Sequence, residues 1–223
     1  MTLAAVATGD HLFWITSRAA GITALVLASA AVAAGLLMGT KLVRGTRAGD
    51  LRVLHEVLSL GTIVALVVHA GSLLGDAYLR PGVADLLIPF VSPYHRWWTA
   101  LGIFAGWGLV LLGLSYYARG WIGQARWRTA HRFTALAWLM GLGHSLGEGT
   151  DAGTTWFLAL VAVAVVPTLV LLVARLAGLK RGTTAGSRAP ATPPATAPAT
   201  TARTGRAGHP TPAERPREPA GLF

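Results

Sequence analysis

Four histidines fall inside long apolar stretches of this 223-residue chain, His55 and His69 in one, His131 and His144 in another. An ionisable side chain is expensive to place in lipid and marks a functional position by default. Neutral imidazole is a common metal ligand, and two of them saturate the axial positions of a haem iron. The intervals are fourteen and thirteen residues, which on helices advance about 21 Å and about 19.5 Å. If the two stretches run parallel, they offer two imidazole pairs at matching depths, one near each face. Two haems held about 20 Å apart would carry electrons across most of a hydrocarbon core of about 30 Å. The alternative chemistry for four intramembrane histidines is a proton path or another metal.

Azimuth is less regular than depth. Fourteen positions at 100° per residue return to within about 40° of the same face, but thirteen do not. Gly141 and Gly143, just before His144, are the expected place for a compensating distortion. Arg52, Arg128 and Arg132 sit within a turn of the His55 and His131 level. Arginine binds carboxylates bidentately, so these three are candidates for haem propionates, and they serve equally well as topology determinants. Glu56 reads as a glutamate snorkelling to the interface. Trp14, Trp97, Trp98, Trp121 and Trp127 read as an aromatic belt, and Trp107 and Trp138 as mid-membrane packing. His11, His95 and His209 lie outside the apolar stretches and carry no assignment.

The elements that position these residues follow from composition. Only 13% of residues are charged and the mean hydropathy is +0.53, too apolar for a soluble domain of this length. An all-α membrane protein is expected, a bundle of about five transmembrane helices: Ala19–Thr40, Val53–Gly75, Trp97–Ala118, Trp127–Gly147 and Ala152–Ala174. Pro167 is expected to kink the fifth. Residues 1–18 form an N-terminal extracytoplasmic segment, 19–181 the membrane domain, and 182–223 a cytoplasmic tail. The tail holds eight of the twelve prolines among Ala, Thr and Arg, a composition that cannot bury a core and predicts disorder. Gly82–Phe90 is apolar but too short to cross, and should lie at the interface or dip into it.

The net charge of +10 reflects topology rather than nucleic-acid binding, because the basic residues cluster between apolar runs. Lys41, Arg44, Arg47 and Arg52, then Arg119, Arg126 and Arg128, then Arg175, Lys180 and Arg181 fall on one side. The positive-inside rule puts that side in the cytoplasm and the N-terminus outside, in a plasma (inner) membrane. With no cysteine, the chain has no thiolate ligand, iron–sulfur cluster or covalently attached haem.

The stretches Leu54–Gly71 (LHEVLSLGTIVALVVHAG) and Arg126–Gly147 (RWRTAHRFTALAWLMGLGHSLG) resemble the ferric reductase-like transmembrane domain. That superfamily includes ferric reductases, NADPH oxidases and the haem subunit of a periplasmic methionine sulfoxide reductase system. The WRxxHR pattern at Trp127 to Arg132 is similar to the family's entry into its second haem helix, and the family shares the uneven intervals. The resemblance covers roughly Arg44 to Ala174. It implies two b-type haems between spans 2 and 4, His55 pairing with His131 and His69 with His144, with electrons flowing outward from the cytoplasmic face. The chain departs from ferric reductases and NADPH oxidases in showing no flavin or nicotinamide site. It departs from the sulfoxide reductase subunit in keeping a histidine at position 55.

The expected function is therefore electron transfer across the bilayer, an oxidoreductase subunit fed by a separate flavoprotein or by quinol and serving an extracytoplasmic acceptor. The rivals are a ferric or other metal reductase acting directly on an outer-face substrate, and a haem-free transporter using the histidines for protons or metal.

Overall fold

In lipid a backbone satisfies its own polar groups only as a helix or a closed barrel, so apolar runs of this length become helices. The computed structural model describes residues 3–40 and 46–185, all helix or turn, with no strand among them. The helices are α1 (Leu3–Thr40), α2 (Thr46–Leu73), α3 (Val83–Leu87), α4 (Arg96–Leu114), α5 (Arg119–Ile122), α6 (Gln124–His131), α7 (Thr134–Glu148) and α8 (Thr155–Ala185). Four stretches are long and apolar enough to cross a membrane: His11–Gly39, Gly49–Leu73, Arg96–Leu114 and Thr155–Gly178. The expected disorder from Gly186 onward, and the basic residues Lys41 and Arg44, lie outside the described residues.

Three boundaries differ from the sequence expectation. The first helix starts well before Arg18, because the Arg18 guanidinium is neutralised in place: it pairs with Asp151 and lies 4.8 Å from the Trp14 ring centroid. The stretch expected as span 4 is two helices, α6 ending at His131 and α7 beginning at Thr134. Phe133 N–H donates to Ala130 O at 3.0 Å and Ala135 N–H to Arg132 O at 3.4 Å, both the shorter i→i−3 pattern. The break is thus at Arg132–Phe133, while α7 continues unbroken through Gly141 and Gly143. Those two glycines admit α4 instead: a Cβ at Gly143 would come within 2.8 Å of Leu101, and one at Gly141 within 3.6 Å of Ala105. Finally, α8 runs on through Pro167 as one helix, extending past position 181.

Packing is organised around α1. Its buried positions are almost all small (Ala24, Ala28, Ala31, Ala34, Ser17 and Ser29), which lets neighbouring backbones approach closely. It packs along α2 on one side and against α7 and α8 on the other, while α4 packs along α7. Leu25, Ala28, Trp138, Phe157 and Val165 form the apolar centre where α1, α7 and α8 meet. Trp138 is 1% exposed and donates its Nε1–H to Ser29 Oγ at 3.0 Å, so its mid-membrane position is a packed and satisfied one. Valines 53, 57, 64 and 67 on α2 are each more than 60% exposed, an apolar stripe suited to lipid. The Gly82–Phe90 segment folds against α4: Trp107 Nε1–H donates to Leu87 O at 3.0 Å, and the Phe90 ring meets those of Trp97 and Phe104.

Candidate metal-ligand site

The helices that carry the four histidines, α2 and α6–α7, do not pack extensively on one another; each is held by a different neighbour. The imidazoles project into the space between them. His55 faces His131 with ring centroids 6.2 Å apart and planes at 85°. His69 faces His144 at the same 6.2 Å, with planes at 73°. The expected pairing by depth is therefore the pairing in space. The break at Arg132–Phe133 helps to bring it about. A tightened turn winds about 120° per residue instead of 100°, and a few such residues recover several tens of degrees of the azimuth lost over thirteen positions.

Each ring is fixed from behind by a main-chain carbonyl of the adjoining helix. His55 Nδ1 lies 2.8 Å from Ala31 O and His69 Nδ1 2.8 Å from Ser17 O, both on α1. His131 Nδ1 lies 3.3 Å from Leu112 O and His144 Nδ1 2.9 Å from Trp98 O, both on α4. A carbonyl oxygen can only accept, so in all four rings Nδ1 carries the proton. The neutral ring then has an unprotonated Nε2 on its far side, turned from the supporting helix toward the opposite histidine. Ser17 adds a second tie at His69, its hydroxyl 3.1 Å from Nδ1 and donating to His69 O at 2.9 Å.

Ser17 and Ala31 are fourteen residues apart on α1, and Trp98 and Leu112 are fourteen apart on α4. The interval of His55–His69 is thus repeated in α1, whereas α4 holds His131 and His144, thirteen apart, on carbonyls fourteen apart. A helical carbonyl is flanked by the side chain four residues on, and three of these four positions are glycine: Gly21 after Ser17, Gly35 after Ala31 and Gly102 after Trp98. A Cβ built at Gly21 would come within 2.9 Å of His69 Nδ1, one at Gly102 within 2.6 Å of His144 Nδ1, and one at Gly35 within 3.3 Å of His55 Cε1. The missing side chains open the path from imidazole to carbonyl. Sequence reading passed over these glycines, although the matched interval Gly21–Gly35 was visible beside His55–His69.

Arg52, Arg128 and Arg132 are exposed, and among the described residues none of them has a hydrogen-bond or ion-pair partner. Glu56 accepts from the Tyr117 hydroxyl at 2.9 Å. At the other end a cavity of about 470 Å³ runs past His69 and His144. It is apolar along Leu25, Val110 and Trp138 and polar toward Arg18, Glu148 and Asp151. No group of three or more His, Cys, Asp or Glu side chains is gathered to hold a metal ion among the described residues. What the fold presents is two sites of two ligands each. Comparison with protein-family models, with curated proteins and with solved structures gives no match.

Proposed function

We propose that this chain is a dihaem b-type membrane electron-transfer protein of the ferric reductase-like kind, with one haem between His55 and His131 and the other between His69 and His144. The observation that carries this reading is the set of four Nδ1–H to carbonyl bonds, which turns an unprotonated Nε2 from each ring into a shared gap. A ligating histidine characteristically spends its other ring nitrogen on such a bond, which fixes the tautomer and the ring orientation. The centroid separation supports it too. Two metal–nitrogen bonds of about 2.0 Å plus about 1.1 Å from each nitrogen to its ring centre give roughly 6.2 Å, matching the observed spacing.

Two ligands per site argue for a metal that brings its own equatorial donors. Bare zinc takes four ligands, and calcium or magnesium six or more. A haem would bring its own four nitrogens, would be held by the paired histidines, and would supply one-electron chemistry. The residues' part is to supply those axial nitrogens and to keep α2 and α7 apart. Arg52, Arg128 and Arg132, without partners among the described residues, are the propionate candidates at the His55 end.

That end also carries Arg47, Arg119, Arg126 and Arg175, whereas Asp76, Asp85, Glu148 and Asp151, with only Arg80 and Arg96, lie toward the other. With α6–α7 counted as a fifth crossing, the positive-inside rule makes the His55 end cytoplasmic and the N-terminus extracytoplasmic in a plasma (inner) membrane. Electrons then enter at His55–His131 from quinol or a separate flavoprotein and leave at His69–His144 to an extracytoplasmic acceptor. The cavity beside His69 and His144 favours, as a second reading, a metal reductase whose substrate is reduced at that end. The test of the main reading is an optical spectrum with a pyridine haemochrome assay. Two b haems per chain with low-spin bands are expected, and a colourless protein purified from haem-replete cells would overturn it. Reoxidation of the reduced protein by ferric chelates would bring in the second reading.

A further inference from the structure

Trp127 stands one helical turn before His131 on α6, and its indole stacks on that imidazole with centroids 5.0 Å apart and planes at 26°. The Tyr116 ring also meets it edge-on, at 5.9 Å. Among the described residues its Nε1 is the one buried side-chain nitrogen or oxygen with no hydrogen-bond partner. A buried donor left unpaired carries the full desolvation penalty of the group, so each such case calls for an acceptor. The two indoles read as mid-membrane packing are both satisfied, Trp138 by Ser29 Oγ and Trp107 by Leu87 O, which sets Trp127 apart. Two cationic donors, Arg128 and Arg132, flank His131 in sequence and are likewise without partners among the described residues. The carboxylate of this corner, Glu56, is already taken by the Tyr117 hydroxyl, so the Trp127 N–H and the two arginines are left without an anion among the described residues.

We propose that the Trp127 Nε1–H donates to a propionate carboxylate of the haem held at His55–His131, making Trp127 a cofactor-binding residue rather than part of an interfacial belt. This rests on the dihaem reading and adds to it a specific contact. The propionates are the only strong hydrogen-bond acceptors on the rim of a b-type haem. An indole stacked on an axial ligand lies close beside that rim. Hydrogen bonds to charged groups are among the strongest that proteins make, so loss of this one should be readable in affinity.

The experiment uses the full chain carrying His69→Ala, so that only the His55–His131 pair binds, and titrates it with haem b and with haem dimethyl ester, whose propionates are capped. Trp127→Phe keeps an aromatic ring on His131 but removes the donor. Replacing Trp127 by benzothienylalanine removes the N–H with almost no change of shape, and so serves if the phenylalanine variant does not fold. Both should weaken haem b binding roughly tenfold or more while binding the dimethyl ester as tightly as the parent does. Unchanged haem b affinity would overturn the proposal. So would equal losses for haem b and the ester, because the indole would then act only by packing. If the parent itself binds no haem, the dihaem reading fails instead.

Discussion

His69 on α2 and His144 on α7 face each other at 6.2 Å, and each donates its Nδ1–H to a carbonyl of a different helix, Ser17 on α1 and Trp98 on α4. Neither ring can turn without breaking its bond, and the two supports lie on opposite sides of the gap. The pair is therefore set in place by four helices, and the same holds for His55 and His131.

Removing one imidazole should empty one site and spare the other. His69→Ala or His144→Ala should halve the haem content and leave the spectrum of the His55–His131 haem, and His55→Ala or His131→Ala should do the converse. Pyridine haemochrome assays with electron paramagnetic resonance on the four variants make the check; full haem content in all four would sink the assignment.

The glycines behind the rings allow a sharper test, because two effects oppose each other. Replacing a helical glycine by alanine ordinarily stabilises a helix by about 0.8–1 kcal/mol. At Gly21 and Gly102 the new methyl would crowd His69 or His144 at 2.9 Å or 2.6 Å. The clash should win. Gly21→Ala and Gly102→Ala should lower occupancy or shift the midpoint potential of the His69–His144 haem alone. Gly178→Ala on α8, where a Cβ meets nothing within 4 Å, should leave both haems unchanged.

The depth pairing of the histidines could be read from the sequence because rise per residue is insensitive to local detail. The azimuth could not, since it depends on winding, and the overwound turn at Arg132–Phe133 carries no glycine or proline to announce it. Gly141 and Gly143 looked like the flexible point, yet they serve close packing against Leu101 and Ala105. Arg18 looked like the edge of a span, but its partner Asp151 lies 133 residues away, and a pairing at that separation leaves no local trace. The carbonyl ties were hidden for a similar reason: main-chain acceptors have no letter in the sequence, and only the glycines that expose them do.

That long-range pair supplies a third prediction. Asp151 is 6% exposed, and it joins the turn between α7 and α8 to α1. Arg18→Leu would leave its charge buried without a partner and should destabilise the protein by roughly 1–3 kcal/mol, less than for a fully buried pair because Arg18 is partly in contact with solvent. Arg18→Leu with Asp151→Asn should recover much of that loss. Thermal unfolding in detergent, followed by near-ultraviolet dichroism, compares the two; a double variant no more stable than the single one would show that Asp151 does not depend on this partner.

In the proposed dihaem reading, orientation decides which haem would receive electrons first, and the orientation is argued from charge. At the His55 end, Arg47 and Arg52 sit in the first turns of α2, Arg119 in α5, and Arg126 and Arg128 in α6, within the range over which lysine and arginine set topology. Toward the His69 end Asp76 and Asp85 are engaged locally, Asp76 accepting from the Tyr78 and Leu79 N–H groups and Asp85 from Gly82 N–H. Arg18 there is neutralised by Asp151, so the cationic bias between the ends is larger than a bare count suggests. A fluorescent protein fused after Gly182 should therefore light up, and alkaline phosphatase fused at the same point should be inactive, while phosphatase inserted in the Ala77–Arg80 turn should be active. The opposite pattern would place His69–His144 on the cytoplasmic side and reverse the proposed direction of electron flow. Under the expected pattern, a membrane-impermeant reductant added to sealed right-side-out vesicles should reduce the His69–His144 haem before the His55–His131 haem, because only the former lies near the outer surface.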